Sequence, residues 1–162
     1  MSTTPIPPLK EVRDLLTMLV GRDCEVSPAD ESVTPATEPG VLVGVYVTQF
    51  LRAQALVAVD TTLAAALGGA IALIPARTAL AGVGPGPLPQ DLLDNVTEVL
   101  NVFSSLFNVG DAPHLRLDTV HDSGAGPLPA DVAGPLRSYG PRLDVSVDVQ
   151  GYGTGLLSVV VQ

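Results

Sequence analysis

Three polar residues in the middle of the chain, Asp94, Glu98 and Asn101, stand at helical spacing. Intervals of four and three residues put them on one face of an α-helix, because a helix turns by about 100° per residue. A carboxylate can pair with a cation, and a side-chain amide can donate and accept hydrogen bonds at the same time. A helix face that combines these groups could bind a polar partner or position a reactant.

The helix predicted to carry these residues spans positions 90–108, and its two sides differ in polarity. The side expected to pack on the core comprises Leu92, Val96, Val99, Leu100, Phe103, Leu106 and Phe107. The opposite side, called the polar row below, comprises Asp91, Asp94, Glu98, Asn101, Ser105 and Asn108. A polar helix face is usually only solvated. This row contains no Lys or Arg and so lacks the usual Glu–Lys pairs, which favours a functional interpretation.

Hydrophobic patterning predicts the surrounding elements. Helices are expected at residues 9–20, ended by Gly21, and at 130–137. An Ala-rich helix is expected to run to about Ile74, with N-cap candidates in Asp60-Thr61-Thr62 and Pro75 at its end. Strands are expected at residues 24–27, 41–47, 55–59, 115–120, 143–149 and 155–161. Strands and helices do not alternate regularly, so we predict an α+β fold: a mostly antiparallel sheet with helices packed on it.

Length and composition indicate one domain over residues 1–162, with a disordered Pro-rich segment at residues 1–8. The formal net charge of −9 excludes nucleic acid and anionic membrane as direct partners, because such binding requires clustered Lys and Arg. Cys24 is the single cysteine, which excludes an intrachain disulfide and a thiolate metal cluster. The chain shows neither a signal-peptide pattern nor an apolar segment long enough to span a bilayer, so we expect a cytoplasmic protein.

The pattern Asp94-x-x-x-Glu98-x-x-Asn101 resembles the signature of the CheC/CheX/FliY phosphatases of chemotaxis and two-component signalling. In that family, Asp or Ser is followed by Glu and then Asn on one surface helix. The resemblance extends to the order of elements over residues 24–162: two strands, an Ala-rich helix, a linker, the motif helix, and three strands with a final hairpin. The single Glu-x-x-Asn set resembles CheX more than CheC.

The resemblance implies a hydrolase that removes phosphate from an aspartate of a response-regulator receiver domain. Glu98 would pair with a lysine of the receiver, and Asn101 would orient the attacking water. Asp91, Asp94 and Ser105 would contact the receiver. The chain would need no metal or cofactor of its own, because the receiver carries the magnesium that stabilises the developing charge.

The sequence also departs from the family pattern. Family members commonly carry Gly-Asn one turn after the catalytic Asn, where this chain has Ser105 and Leu106, with Asn108 a little later. The downstream Pro of the pattern has its nearest counterpart in Pro127, a few residues late. These departures concern activity more than fold.

Two other functions stay open alongside the phosphatase. One is a non-catalytic module of the same fold that binds a receiver or self-associates through its sheet. The other is an unrelated small-molecule binder that uses the apolar Ala/Gly helix near the linker. A homodimer is also an expectation, because the apolar strand predicted at residues 155–161 would invite pairing if it lay at a sheet edge.

Two local patterns that could suggest other sites are weaker. The Gly- and Pro-rich segment 82–87 lacks the Lys and Ser/Thr of a phosphate loop, and is interpreted as a flexible linker. His114 and His121 lie near Asp118 and Asp122, but they are expected at opposite ends of one strand. A metal site there is disfavoured.

Overall fold

The computed structural model describes residues 3–162, and these form one antiparallel sheet with helices on it. The six strands are β1 Cys24–Pro28, β2 Val41–Val47, β3 Ala53–Asp60, β4 Arg116–Asp122, β5 Arg142–Val149 and β6 Gly153–Val161. Their spatial order is β1-β5-β6-β3-β2-β4, and every neighbouring pair is antiparallel. The helices are α1 Leu9–Val20, α2 Thr61–Ile71, α3 Ala76–Ala81, α4 Gln90–Phe103 and α5 Ala130–Leu136. The predicted α+β class is therefore confirmed, and β2–β3 and β5–β6 form hairpins.

Both faces of the central strands are covered. In β2, Leu42 and Tyr46 belong to the main core beneath α1, α2 and α4, whereas Val41, Val43, Val45 and Val47 belong to a second cluster with Val132 and Leu136 of α5. All seven residues of β2 are consequently buried. A strand buried on both faces has a continuous apolar sequence instead of an alternating one.

Several helix boundaries follow from local backbone chemistry. α1 ends at Gly21, whose left-handed φ of 70° closes the last turn. α2 begins at Asp60, whose carboxylate accepts the N–H of Leu63. It ends at Ile71, three residues earlier than predicted. Pro75 stands directly before α3, a helix that was not predicted from the sequence. Pro75 is predicted only as the end of the preceding helix, but Pro is also common at the start of a helix.

The strongly apolar strand β6 does not lie at a sheet edge. It pairs with β5 on one side and with β3 on the other, so the edge position on which the expected pairing of this strand depended is absent, and a homodimer stays a prediction. The apolar run reflects burial in the middle of the sheet. In the part of the chain that the structure describes, the two edges of the sheet are β1 and β4.

The N-terminal segment also differs from the sequence-based expectation of disorder. Of residues 3–8, Thr4 and Pro7 are buried and Ile6 packs against the main core. Met1 and Ser2, which the same prediction covered, lie outside the described residues. None of the helices within residues 3–162 is long and apolar enough to cross a membrane.

Candidate functional site

The polar row lies on α4, which is held to the core along its other side. Leu92, Val96, Val99, Leu100 and Phe103 are buried, as predicted. The buried Tyr46 hydroxyl donates a hydrogen bond to the Leu100 carbonyl, and burial raises the pKa of Tyr46 well above its usual value. The tyrosine therefore stays protonated and keeps donating. After Phe103 the chain tightens into a 3-10 turn, Ser104–Leu106, so the predicted helix is regular only as far as Phe103.

A second attachment joins α4 to α2, where Leu92 and Asn95 of α4 both contact Gly68 of α2. A Cβ added to Gly68 would lie 2.7 Å from the backbone oxygen of Leu92, closer than real Cβ contacts. Beside this contact, the Asn95 amide donates a 3.0 Å hydrogen bond to the Gly68 carbonyl. The glycine in the middle of α2 therefore allows α4 to approach α2 closely.

We predict that Gly68→Ala destabilises the protein by about 2 kcal/mol, because the methyl group forces the two helices apart. This outcome is the opposite of the gain of about 1 kcal/mol that helix propensity alone would give. Urea unfolding measures the difference. Gly134→Ala in α5, where a Cβ would meet nothing within 4 Å, is the matched control. Equal effects of the two substitutions would contradict the proposed close contact.

The linker before α4 is tethered at its end. The carboxylate of Asp122, at the end of β4, accepts hydrogen bonds from the N–H of Leu88 and the N–H of Gly124, both at 2.8 Å. The Gly86 backbone packs directly against Gly124. These contacts hold the linker against the loop after β4. Among the described residues, those of the linker do not line the groove between α4 and β4.

A shallow groove of about 440 Å³ runs between α4 and the edge strand β4. The helix contributes Asp94, Thr97, Glu98 and Asn101, and the strand contributes residues 117–120. The structure thus brings the three motif residues together on one wall. Asp91 and Ser105, also predicted to contact a receiver, are exposed but do not line the groove. The roles of all five residues remain predictions.

The opposite wall contains Asp118, which the sequence analysis did not select as a contact residue. Strand β4 pairs Thr119 with Val45 and Leu117 with Tyr46, so Asp118 has no partner in β2 and forms a bulge. Bulges redirect side chains and are frequent at sheet edges and near active sites. Asp118 lines the groove opposite Glu98 and Asn101, and its carboxylate lies 3.6 Å from Arg116.

Three asparagines near α4 differ in how their side chains are used. The Asn95 amide bonds to α2, and the Asn108 side chain bonds to both the N–H and the carbonyl of Leu115. Asn108 is therefore a structural residue that holds the chain before β4. Asn101 is exposed, and within residues 3–162 its side chain has no hydrogen-bond partner. Its amide is available to a ligand.

The other candidate groups do not form a site together. Within residues 3–162, His, Cys, Asp and Glu side chains do not gather in any cluster of three or more that could hold a metal. His121 bonds to Thr119, whereas His114 lies in a different cleft from the α4 groove. Cys24 is buried, and burial raises the pKa of its thiol to about 11. Helix α2 is packed on nearly all sides, which leaves little space for a ligand beside its glycines.

Comparison of the fold with solved structures gives clear matches at low sequence identity. The H. pylori FliM middle domain matches with a TM-score of 0.59 at 8% identity, over 94% of this chain and 84% of that one. H. pylori FliM in a complex with SpeE gives 0.60 at 8% identity, over 94% and 80%. Thermotoga maritima FliY gives 0.51 at 17% identity, over 92% and 81%. No known family profile and no curated protein matches the sequence.

Proposed function

We propose that the chain is a cytoplasmic CheX-like phosphatase that accelerates hydrolysis of the aspartyl phosphate of a receiver domain. The proposal is supported by the fold, which is similar to that of FliY, a member of the family that the sequence resembles. The observation that carries the proposal is Asn101: an exposed amide with no side-chain hydrogen bond inside residues 3–162, one helical turn from Glu98 in the same groove.

The groove chemistry suits this reaction. Acyl-phosphate hydrolysis depends on positioning and on charge stabilisation more than on a strong base. The receiver supplies its own magnesium, so the phosphatase must mainly orient water. Asn101 can do so because an amide accepts one hydrogen from water while donating to a phosphoryl oxygen. Glu98 pairs with the receiver's lysine, and this pair fixes how far Asn101 reaches into the phosphorylation site of the receiver.

Asp118 extends this arrangement to the second wall. Its carboxylate lines the same groove as Glu98 and lies 3.6 Å from Arg116, so a cationic side chain of the receiver would compete with Arg116 for it. The departures from the family pattern fall outside this groove. Ser105 and Leu106 lie in the 3-10 turn, and Asn108 is occupied by Leu115. They leave the surroundings of Asn101 intact.

The test of the proposal is the decay of a phosphorylated receiver domain from the same organism, with and without the protein. We expect faster decay in its presence. If none of the organism's receivers decays faster, the phosphatase assignment fails.

Charge reversal at the groove gives a second prediction. Glu98→Arg should weaken receiver binding at least about 10-fold, because it replaces an attractive charge pair by a repulsion. Isothermal titration with a receiver held in its phosphorylated form by a phosphate analogue measures the affinity. Glu31→Arg, at an exposed position outside the groove, makes the same charge change and should leave binding within a factor of about two. Similar losses in both variants would indicate an effect of net charge alone.

A non-catalytic binding module is the alternative function. It is supported by the similarity to FliM, which has been solved in a complex with SpeE. A binding module would lose affinity through Glu98→Arg but would not change receiver decay. The two measurements together therefore separate the alternatives.

A further inference from the structure

A second cleft lies at the tip of the β2–β3 hairpin and shares no lining residue with the α4 groove. Its volume is about 810 Å³, within the usual range for sites that bind small molecules. One wall is the hairpin tip, with Thr48, Phe50 and Arg52, and the other is formed by Pro113 and His114 just before β4.

The hairpin tip is organised by Thr48. Its N–H donates to the Arg52 carbonyl at 2.9 Å, and its carbonyl accepts the N–H of Leu51 at 2.9 Å. Its hydroxyl accepts the N–H groups of Phe50 and Arg52, both at 3.3 Å. Leu51 adopts a left-handed φ of 61°, a conformation that side chains other than Gly, Asn and Asp rarely take. These bonds fix a strained turn, and such strain is often found at functional sites.

This fixed turn presents a large apolar side chain to solvent. Phe50 is 82% exposed, although most aromatic residues bury a large area. The bonds made by Thr48 hold the turn without any contribution from the Phe50 ring. The ring is therefore available as one wall for a ligand that has an apolar part.

The charge of this cleft is opposite to that of the whole chain. The chain carries a formal net charge of −9, yet among the residues that the structure describes no Asp or Glu lines the cleft. Arg52 and His114 do line it, together with the amides of Gln49 and Gln54. Within residues 3–162 the Arg52 guanidinium makes neither an ion pair nor a hydrogen bond. A guanidinium left free in an acidic protein can form a two-pronged pair with a carboxylate.

We infer that this cleft binds a small organic carboxylate that carries a flat apolar group. Arg52 pairs with the carboxylate, the two Gln amides and His114 supply further hydrogen bonds, and the apolar group covers the Phe50 ring. The inference does not depend on the proposed phosphatase activity, because the two sites share no residue.

Phenylacetate is the probe, and the two-dimensional ¹H–¹⁵N NMR spectrum of the full chain is the readout. We expect saturable shifts of residues 48–54 and of His114, the neighbour of Pro113, with a dissociation constant on the order of a millimolar. Phenylacetamide, which has the same ring but no charge, should bind at least about 10-fold more weakly. Inorganic phosphate, which has charge but no ring, should also bind at least about 10-fold more weakly.

Arg52→Gln should weaken phenylacetate binding at least about 10-fold, whereas Arg77→Gln, which removes the same charge from exposed α3, should not change it. Phe50→Ala should weaken binding by a smaller factor. The fold of each variant is checked in the same spectrum, through the signals of strands β5 and β6. No saturation by about 20 mM phenylacetate, equal binding of the amide or of phosphate, or equal effects of the two Arg variants would each overturn the inference.

Discussion

Asn101→Ala should reduce the acceleration of receiver dephosphorylation by at least about 100-fold, because the attacking water loses the group that orients it. The amide is exposed and has no structural partner within residues 3–162, so the substitution should leave the free energy of unfolding almost unchanged. Single-turnover decay of the phosphorylated receiver, followed at saturating protein, measures the rate. Affinity for the receiver should change much less than the rate.

Two controls make this result specific. Gln150→Ala removes an exposed amide in the turn between β5 and β6, far along the chain from the groove, and should have full activity. Asn101→Asp keeps the shape but cannot donate a hydrogen bond when ionised, so it should be about as inactive as Asn101→Ala. An Asn101→Ala variant that still accelerates decay would exclude this residue as the catalytic amide. The Asp94, Glu98 and Asn101 face would then be better explained as a binding surface.

Asp60→Ala should destabilise the fold by about 3 kcal/mol. The substitution removes a helix cap and leaves a second N–H, which is buried, without a hydrogen-bond acceptor. The buried Asp60 carboxylate accepts the N–H of Leu63 at the start of α2 and the N–H of Leu156 in β6, at 2.7 and 2.9 Å. Alanine leaves both donors without a partner. Asparagine retains one acceptor oxygen, so Asp60→Asn should lose only part of that stability. Urea unfolding at neutral pH should rank wild type, Asn and Ala in that order.

The same residue should give a pH dependence of defined sign. Burial raises the pKa of Asp60 above 3.8, although its two backbone hydrogen bonds act in the opposite direction. The folded state therefore holds the proton more tightly than the unfolded state. The contribution of this group to stability is complete below pH 3.8 and is lost as pH rises through the raised folded pKa. Wild type should thus gain stability relative to Asp60→Asn as the pH falls from neutral towards 3.8. A constant difference would contradict the raised pKa.

Much of the fold was predictable, because amphipathic periodicity and end signals are local. The β2–β3 and β5–β6 hairpins, the start of α2 near Asp60 and the end of α1 at Gly21 all follow from short stretches of sequence. The position of β6 in the sheet could not be predicted from its local sequence. A continuous apolar strand can either lie at an exposed edge or be buried on both faces, and only the pairing with β3 and β5 distinguishes the two.

The candidate site was likewise predictable where it depends on local spacing, and unpredictable where it depends on contacts between distant parts of the chain. Helical spacing was enough to place Asp94, Glu98 and Asn101 on one face. It could not separate Asn101 from Asn108 in the same row, because the residue that binds the Asn108 side chain, Leu115, lies 7 positions further along the chain. Asp118 was also inaccessible to pattern reasoning as part of the groove, since its bulge exists only through the pairing of β4 with β2.

Because Cys24 is buried, a second cysteine introduced on the surface can be labelled selectively. Burial raises the pKa of the Cys24 thiol to about 11, so it is almost entirely protonated near neutral pH and little of the reactive thiolate is present. The side chain is also almost completely shielded from solvent. A cysteine introduced at Thr97 in the groove would therefore react with a maleimide while the native thiol stays unmodified. A fluorophore or cross-linker attached there would report contact with the groove without first removing the natural cysteine.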